Sequence, residues 1–472
     1  EKGIFVPGTN FDPEQADWTG NYYQYGREWE RSAHVEYFKD SKLNYSSSIG
    51  LRTHGGNSRR NPQKGMRLYA RTEYGNQKFR QSFFGQNGPA EFKRLVLKPM
   101  SSAWTYAGMQ DMLCNRMTEN PELNIHGVNS SPAAVYINGI YWGLYQLQEH
   151  VDRHFISTHY QLDEDEYDLI KDWYGEADIG NNEAWSDLYD FIEENDLSDP
   201  INYSYVESQI DLGNFIDYQI FQTFVANRDW PANNMICWKG YDHDQKWRWV
   251  FKDGDAAMLQ LDLNYLSHSL STSDVFWPTN ATSTLFLRKL LANQICEDRF
   301  YHRFTQLVNG IWKYEELREL FNEGVTKFHD EVVAQNIRFS FLANYSQWLT
   351  TIDKLNYFLQ NRACELDLQL KSELNRSINP PSCILSETEV SQVEVFPNPN
   401  MSQFTFSFYS THSKNIAVNV RNFHGRIIHT MPFPAVSGFN SVELNHLNLP
   451  AGVYLIEVEA DFSKAIAKMI VI

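Results

Sequence analysis

Apolar positions divide the chain into stretches of different period. From about residue 28 to 150, runs such as IGLRTHGGNSRR, KGMRLYAR, RLVLKPM, AAVYI and YWGLYQLQ are β-branched or aromatic-rich and bounded by Gly, Asn and Pro, which predicts strands. One helix-like segment, AGMQDMLCNRMTEN, interrupts them. From 151 to 375 the apolar spacing becomes three to four residues in NEAWSDLYDFIEEN, LGNFIDYQIFQTFVAN, LFLRKLLANQICEDRFYHRFTQLVNGI and YSQWLTTIDKLNYFLQNRACELDLQLKSEL, which predicts helices. NRSINPPSCILSETEVSQ has no period and reads as a linker over 376–392. Beyond it FTFSFYS, NIAVNVRN, RIIHTM, SVELN, GVYLIEVEA and AIAKMIVI alternate, the pattern of a small Ig-like β-sandwich over 393–472. The reading is therefore α+β: an N-terminal extension (1–27), a β-rich region (28–150), a helical region (151–375) and the sandwich.

Composition narrows this picture. A chain of 472 residues has room for about three domains, and 42% hydrophobic with 15% aromatic residues is a folded composition. The net charge of −18 and the lack of a Lys/Arg-rich run argue against nucleic acid or an anionic membrane as main partner. No run of eighteen apolar residues spans a bilayer. The sequence begins at Glu1 without a charged-then-apolar leader, so a removed signal peptide or a trimmed start is expected. Five cysteines without metal spacing read as buried free thiols, with a Cys364–Cys383 bridge left open.

The candidate chemistry lies in NRDWPANNM, Asn227 to Met235. A helix over Leu212–Ala226 must stop before Pro231. MICWK and KWRWVFKDGD, joined by the polar turn GYDHDQ, predict a hairpin whose ends lie side by side. Asn234 then falls near Asp253, and an amide beside carboxylates makes an oxygen-only site for Mg²⁺ or Mn²⁺, with Asp255 two residues on. Asp229 faces the same cavity without ligating. An Asp that orients a hydroxyl and an Asn and Asp that hold ions are the parts of phosphoryl transfer. R-D-x-x-x-x-N is also the second part of the protein-kinase catalytic-loop signature, with Asn227 where a His usually stands. The competing reading makes Asp229 a loop cap and Asp253 and Asp255 turn residues.

THGGNSRR predicts a turn whose N–H groups face phosphate, with Arg52 and Ser58 at hand. Lys64, Arg67 and Lys98 on or beside strands are further candidates for the nucleotide, although strand cations are ordinarily solvated edge residues. Glu149, in QLQEHVDRHF, stands where a two-lobed kinase has its adenine hinge, or caps the following helix. There is no GxGxxG, and the helix-like segment at 107–120 offers no evident Glu to pair with a strand Lys.

GLRTHGGNSRRNPQKGMRLYAR, INGIYWGLYQLQEHVDRHF and NRDWPANNM…WRWVFKDGDAAM together resemble the CotH family of spore-coat-type, secreted, atypical protein kinases. The resemblance implies a two-lobed protein-kinase-like domain, ATP with Mg²⁺ or Mn²⁺, and transfer to Ser/Thr of secreted or surface proteins. It places the loop acid on Asp229, the amide ligand on Asn234 and the paired acids on Asp253 and Asp255. VFPNPN, HGRII, LNLPAGVYLIEV and the closing KMIVI resemble the C-terminal sorting domain of the type IX secretion system of Bacteroidetes. That implies the secretion machinery as a partner and a secreted or cell-surface location. Because ATP is scarce outside cells, a catalytically silent adhesin or matrix protein on the same scaffold is the rival expectation, and nucleotidyl transfer is a second.

Overall fold

In the computed structural model the β-rich region opens with an antiparallel hairpin, β1 (Arg31–Lys39), which was not among the predicted runs, with β2 (Lys42–His54). The structure describes residues 3–16, 18–85, 88–100, 106–273, 278–342, 345–380, 390–410, 414–445, 447–460 and 463–472. Two units are distinguishable, one of Glu1–Leu259, Asn264–Asn356 and Gln369–Ile378, the other of Gln260–Leu263, Tyr357–Leu368 and Asn379–Ile472.

In the first unit β3 (Gly65–Tyr69), the two-residue ribbon β4 (Phe79–Arg80) with β5 (Glu91–Phe92), β6 (Arg94–Pro99), β7 (Ser130–Ile137) and β8 (Ile140–Gln148) follow. The main sheet is antiparallel in the order β1-β2-β3-β6-β8-β7. Its apolar positions alternate as the sequence implied, so Ile49, Leu68, Leu95 and Leu147 share one buried cluster with Phe79, Phe83 and Phe92. Helix α1 (Gln110–Thr118) carries its Met109 and Met112 side against Gly324, where a Cβ would lie 2.6 Å from Met112 Cε. A mid-helix glycine costs about 1 kcal/mol of helix propensity, and here it admits the neighbouring helix.

The helical region opens with α2 (Arg153–Tyr160), capped by Asp152, then β9 (Tyr167–Ile170), β10 (Ala177–Ile179), α3 (Glu183–Glu194), α4 (Pro200–Gln209) and α5 (Leu212–Val225). Helix α5 is buried on all sides, polar residues included. The buried charge among them is paired: Asp217 takes the Asn124 N–H at 2.8 Å and the Arg303 guanidinium at 2.7 Å. The predicted hairpin forms as β11 (Cys237–Gly240) with β12 (Arg248–Trp249) and joins a sheet in the order β10-β9-β11-β12. There follow α6 (Tyr265–Leu270), α7 (Ala281–Leu291), α8 (Gln294–Val308), α9 (Tyr314–Phe339) and α10 (Tyr345–Leu374). The single periodic run expected across α7 and α8 is broken because the Asn293 side chain caps Ile295 and Cys296. Helix α9 reaches back toward the sheet through Gln335, part of a ring of three buried side-chain amide bonds of 2.8 Å. Gln335 Oε1 accepts from Leu144 N, Gln335 Nε2 donates to Gln63 Oε1, and Gln63 Nε2 donates to Leu144 O.

In the second unit β13 (Val390–Phe396), β14 (Phe404–Ser410) and β17 (Gly438–Leu444) form one sheet. The other has the order β16-β15-β18-β19, from β15 (Lys414–Asn422), β16 (Ile427–Ala435), β18 (Gly452–Ala460) and β19 (Ser463–Val471). Phe406 and Phe408 from the first sheet and Val418, Val420, Ile456 and Val458 from the second share one core, as a β-sandwich requires. Among the described residues, no helix is long and apolar enough to cross a membrane. Cys114, Cys237 and Cys296 are buried free thiols and Cys364 is disulfide-bonded, while Cys383 lies outside the described residues.

Candidate functional site

The α5 helix ends at Ala226 in a left-handed conformation, and the loop after it is pinned to the Asp253-Gly254-Asp255 segment. Asn227 Nδ2 donates to Asp253 O at 3.2 Å, its Oδ1 accepts from Asp229 N at 3.2 Å, and Arg228 N donates to Ala256 O at 3.1 Å. On the other side, β11 and β12 pair Cys237 with Trp249 and Trp238 with Arg248, and Val250 N bonds Ile236 O. Continuing that register sets Asn234 opposite Lys252, one residue from Asp253. Both Asn234 (φ 58°) and Asp253 (φ 65°) adopt the left-handed conformation, an uncommon choice that concentrates at functional sites.

Asn234, Lys252, Asp253 and Asp255 line one side of a cavity of about 270 Å³. The rest of the lining is His54, Gly55, Gly56 and Ser58 from the end of β2 and the turn after it, Lys98 and Pro99 from β6, and Val128, Gln148, His150 and Val151. Lys98 is the centre of charge. Its Nζ lies 2.7 Å from Asp253 Oδ1 and 2.9 Å from Asp111 Oδ1 on α1. Burial alone would favour the neutral amine, but Asp111, Asp253 and Asp255 hold the Lys98 pKa well above a lysine's usual value, so it is an ammonium. Asp111 Oδ1 also accepts the Gly254 N–H at 2.7 Å. Gly254 must be glycine for this approach, since a Cβ would sit 2.8 Å from the Cβ and Sγ of Cys114.

Asp253 and Asp255 are two carboxyls hydrogen-bonded to one another. Burial raises both, but Lys98 drives Asp253 below the usual carboxylate range, and the Asp253 charge together with burial drives Asp255 well above it. Two such groups share a proton until a cation replaces it. Asp253 keeps 35% of its side chain exposed, so a ligand can reach it. The donors are hard oxygens, two carboxylates and an amide, and they fit Mg²⁺ or Mn²⁺. Among the described residues no group of three or more His, Cys, Asp or Glu is placed to hold a metal ion. Asp229, expected to face this cavity, is half-buried and is not among the residues that line it, and burial followed by the Asp253 charge raises its pKa.

The other sequence candidates lie around this cavity in different ways. Ser58 lines it. Arg67 stands behind it, with Nη2 2.8 Å from His54 Nδ1. Lys64 is buried, with Nζ bonded to Arg59 O at 2.9 Å and Asn61 O at 3.0 Å, and it closes the Gly-containing turn from beneath. Burial pulls its pKa down to about 8. Arg52 bonds Gly26 O at 2.9 Å and covers the Tyr69 ring, with Glu30 beside it, and is not brought to the cavity. Glu149 takes both the backbone and side-chain N–H of Asn129, at 2.9 and 2.8 Å, and meets His159 at 3.0 Å. That carboxylate braces the segment behind the cleft while its neighbours Gln148 and His150 face it. The 107–120 segment offers no Glu to the strand lysine, and the carboxylate that pairs with Lys98 is Asp111, whose sequence signal was an acid in the first helical turn.

Residues 51–366 match the family described as "CotH kinase protein", which is more than half of the chain. Residues 394–472 match "Secretion system C-terminal sorting domain". Comparison with curated proteins finds no match.

Proposed function

Since this chain belongs to the CotH kinase protein family and carries a secretion-system sorting domain, we propose that it is a secreted kinase. In this reading the first unit is a two-lobed, kinase-like domain that moves the terminal phosphate of ATP to Ser/Thr hydroxyls of secreted or surface proteins. The observation that carries the proposal is the ion-paired Lys98, which ties Asp111 of α1 to Asp253 in a cleft also lined by Asn234 and Asp255. A lysine joined to a helix acid and next to a metal-binding Asp is the arrangement a kinase needs to be competent. Here an Asp takes the place of the usual Glu.

Asn234, Asp253 and Asp255 would hold the divalent ion. That ion, when bound, supplies positive charge against the transferring phosphate. Lys98 adds a fixed positive charge to the same wall, and the Gly55–Ser58 turn offers backbone N–H groups to the phosphates. Asp229 orients the acceptor hydroxyl and takes its proton, a role its raised pKa suits. The sorting domain supports handling by a type IX secretion machinery and a location outside the cell or on its surface.

Incubation of the full chain with ATP labelled at the γ- or the α-phosphate, with Mn²⁺, tests the reading. Label from γ alone supports it. Label from α assigns nucleotidyl transfer, and neither label nor ATP binding leaves a silent scaffold acting as an adhesin.

A further inference from the structure

Two imidazoles stand in the cleft, His54 and His150, edge to face with centroids 5.3 Å apart. Neither belongs to the loop acid, the metal donors or the lysine pair. His54 Nδ1 lies 2.8 Å from Arg67 Nη2. A guanidinium only donates, so Nδ1 must be the accepting, unprotonated nitrogen, and the ring proton resides on Nε2. A doubly protonated ring would set N–H against N–H. Nε2 has no hydrogen-bond partner among the described residues and is not sealed from the cavity. Burial and then the Arg67 charge push the His54 pKa well below 6.5, in the same direction as the contact geometry.

His54 ends β2 and leads into Gly55 and Gly56, which line the cavity beside Ser58. Gly55 has φ +115°, where a Cβ would fall 2.4 Å from Ser58 Oγ, so the backbone there is free to approach a ligand closely. A neutral N–H differs from an ammonium in this setting. Lys98 is held by Asp111 and Asp253, whereas an uncharged donor is not captured by those acids and stays available to an incoming anion.

We propose that His54 is a ligand-binding residue whose neutral Nε2–H donates to a phosphate oxygen of the bound nucleotide, with Arg67 a positioning residue that fixes the tautomer. This rests on the phosphoryl-transfer reading above.

The test uses the full chain with ¹⁵N-labelled histidine. A long-range proton–nitrogen correlation, with His54 identified by its loss in His54→Gln, should show the Nε2-protonated form at neutral pH. Its Nε2 signal should move on adding ATP with Mg²⁺. Arg67→Met should mix the tautomers, which a merely structural role for Arg67 would not do. In calorimetry His54→Leu should bind ATP about 10- to 100-fold more weakly, and His54→Gln, which keeps a donor, should stay within about threefold of the parent. An Nδ1-protonated ring, or ATP affinity unchanged in His54→Leu, overturns the assignment while leaving the kinase reading intact. Absence of ATP binding by the parent chain overturns the kinase reading itself and this donor with it.

Discussion

Replacing Asp111 by Asn isolates the ion pair on which the cleft is organised. At 2.9 Å from Lys98, and with an effective dielectric constant of about 20, the gross attraction is about 6 kcal/mol. Desolvation of two nearly buried side chains offsets much of this. Asn keeps an oxygen for the Gly254 N–H, and Lys98 keeps Asp253 at 2.7 Å. The expected net loss is therefore about 2–3 kcal/mol, below the 3–5 kcal/mol of a fully orphaned buried charge. Tryptophan fluorescence in urea reads the right unit, because the last of the 13 Trp is Trp348 and the sandwich has none. Phosphoryl transfer should fall by about 10²- to 10³-fold as Lys98 is drawn wholly onto Asp253. In a Lys98→Met background, Asp111→Asn should cost nothing further, since the carboxylate has then lost its counter-charge. Additive losses in that double-mutant cycle, or an Asp111→Asn protein with parental stability and transfer, would refute the reasoning.

Asp229→Asn should reduce transfer by about 10²- to 10⁴-fold without loss of stability at pH 7. The sign follows from its raised pKa: the stability such a carboxyl contributes is present below its unfolded pKa and is gone once pH has risen through the folded value. In the parent, transfer should therefore fail on acidification at a pH above the ordinary carboxylate range, as read from the acid limb of the rate profile. ATP with Mg²⁺ at a hundredfold excess over Kd should raise the tryptophan-reported unfolding free energy by about 2.7 kcal/mol, and Asp253→Asn should remove that gain. Phe406→Ala in the sandwich core should cost about 3–5 kcal/mol there. It should lower the sandwich transition seen by circular dichroism and leave the tryptophan transition in place.

How far the sequence reached can be judged residue by residue. That Asn234 and Asp253 line one cavity was readable because a two-stranded ribbon brings its own ends together, whatever the rest of the chain does. The sandwich was readable because alternation with period two is written locally. Asp111 was not: an acid in a helix's first turn is the commonest of dipole-compensating residues, and only the packing of α1 against β7 and α9 brings it to Lys98. Nor could the sequence separate Arg52 from Lys98, both strand cations. Their fates were set by Glu30 and Tyr69 in one case and by Asp111 and Asp253 in the other, partners remote along the chain. The helix α9 and the strands β9 and β10 were also not anticipated. The run carrying α9 keeps only six of its residues buried, among them Leu317, Phe321 and Phe328, too sparse a stripe to stand out.

The ring of amides joining Gln63, Leu144 and Gln335 has a mechanical consequence. To swing the sheet away from α9, the two bonds made by Gln335 must break and leave their groups dry, a penalty of about 1–3 kcal/mol for each. A nucleotide would enter past the Gly55–Ser58 turn while the rest of the sheet holds still, and the Leu144 amide should exchange with deuterated solvent among the slowest in the molecule whether or not the crevice is filled.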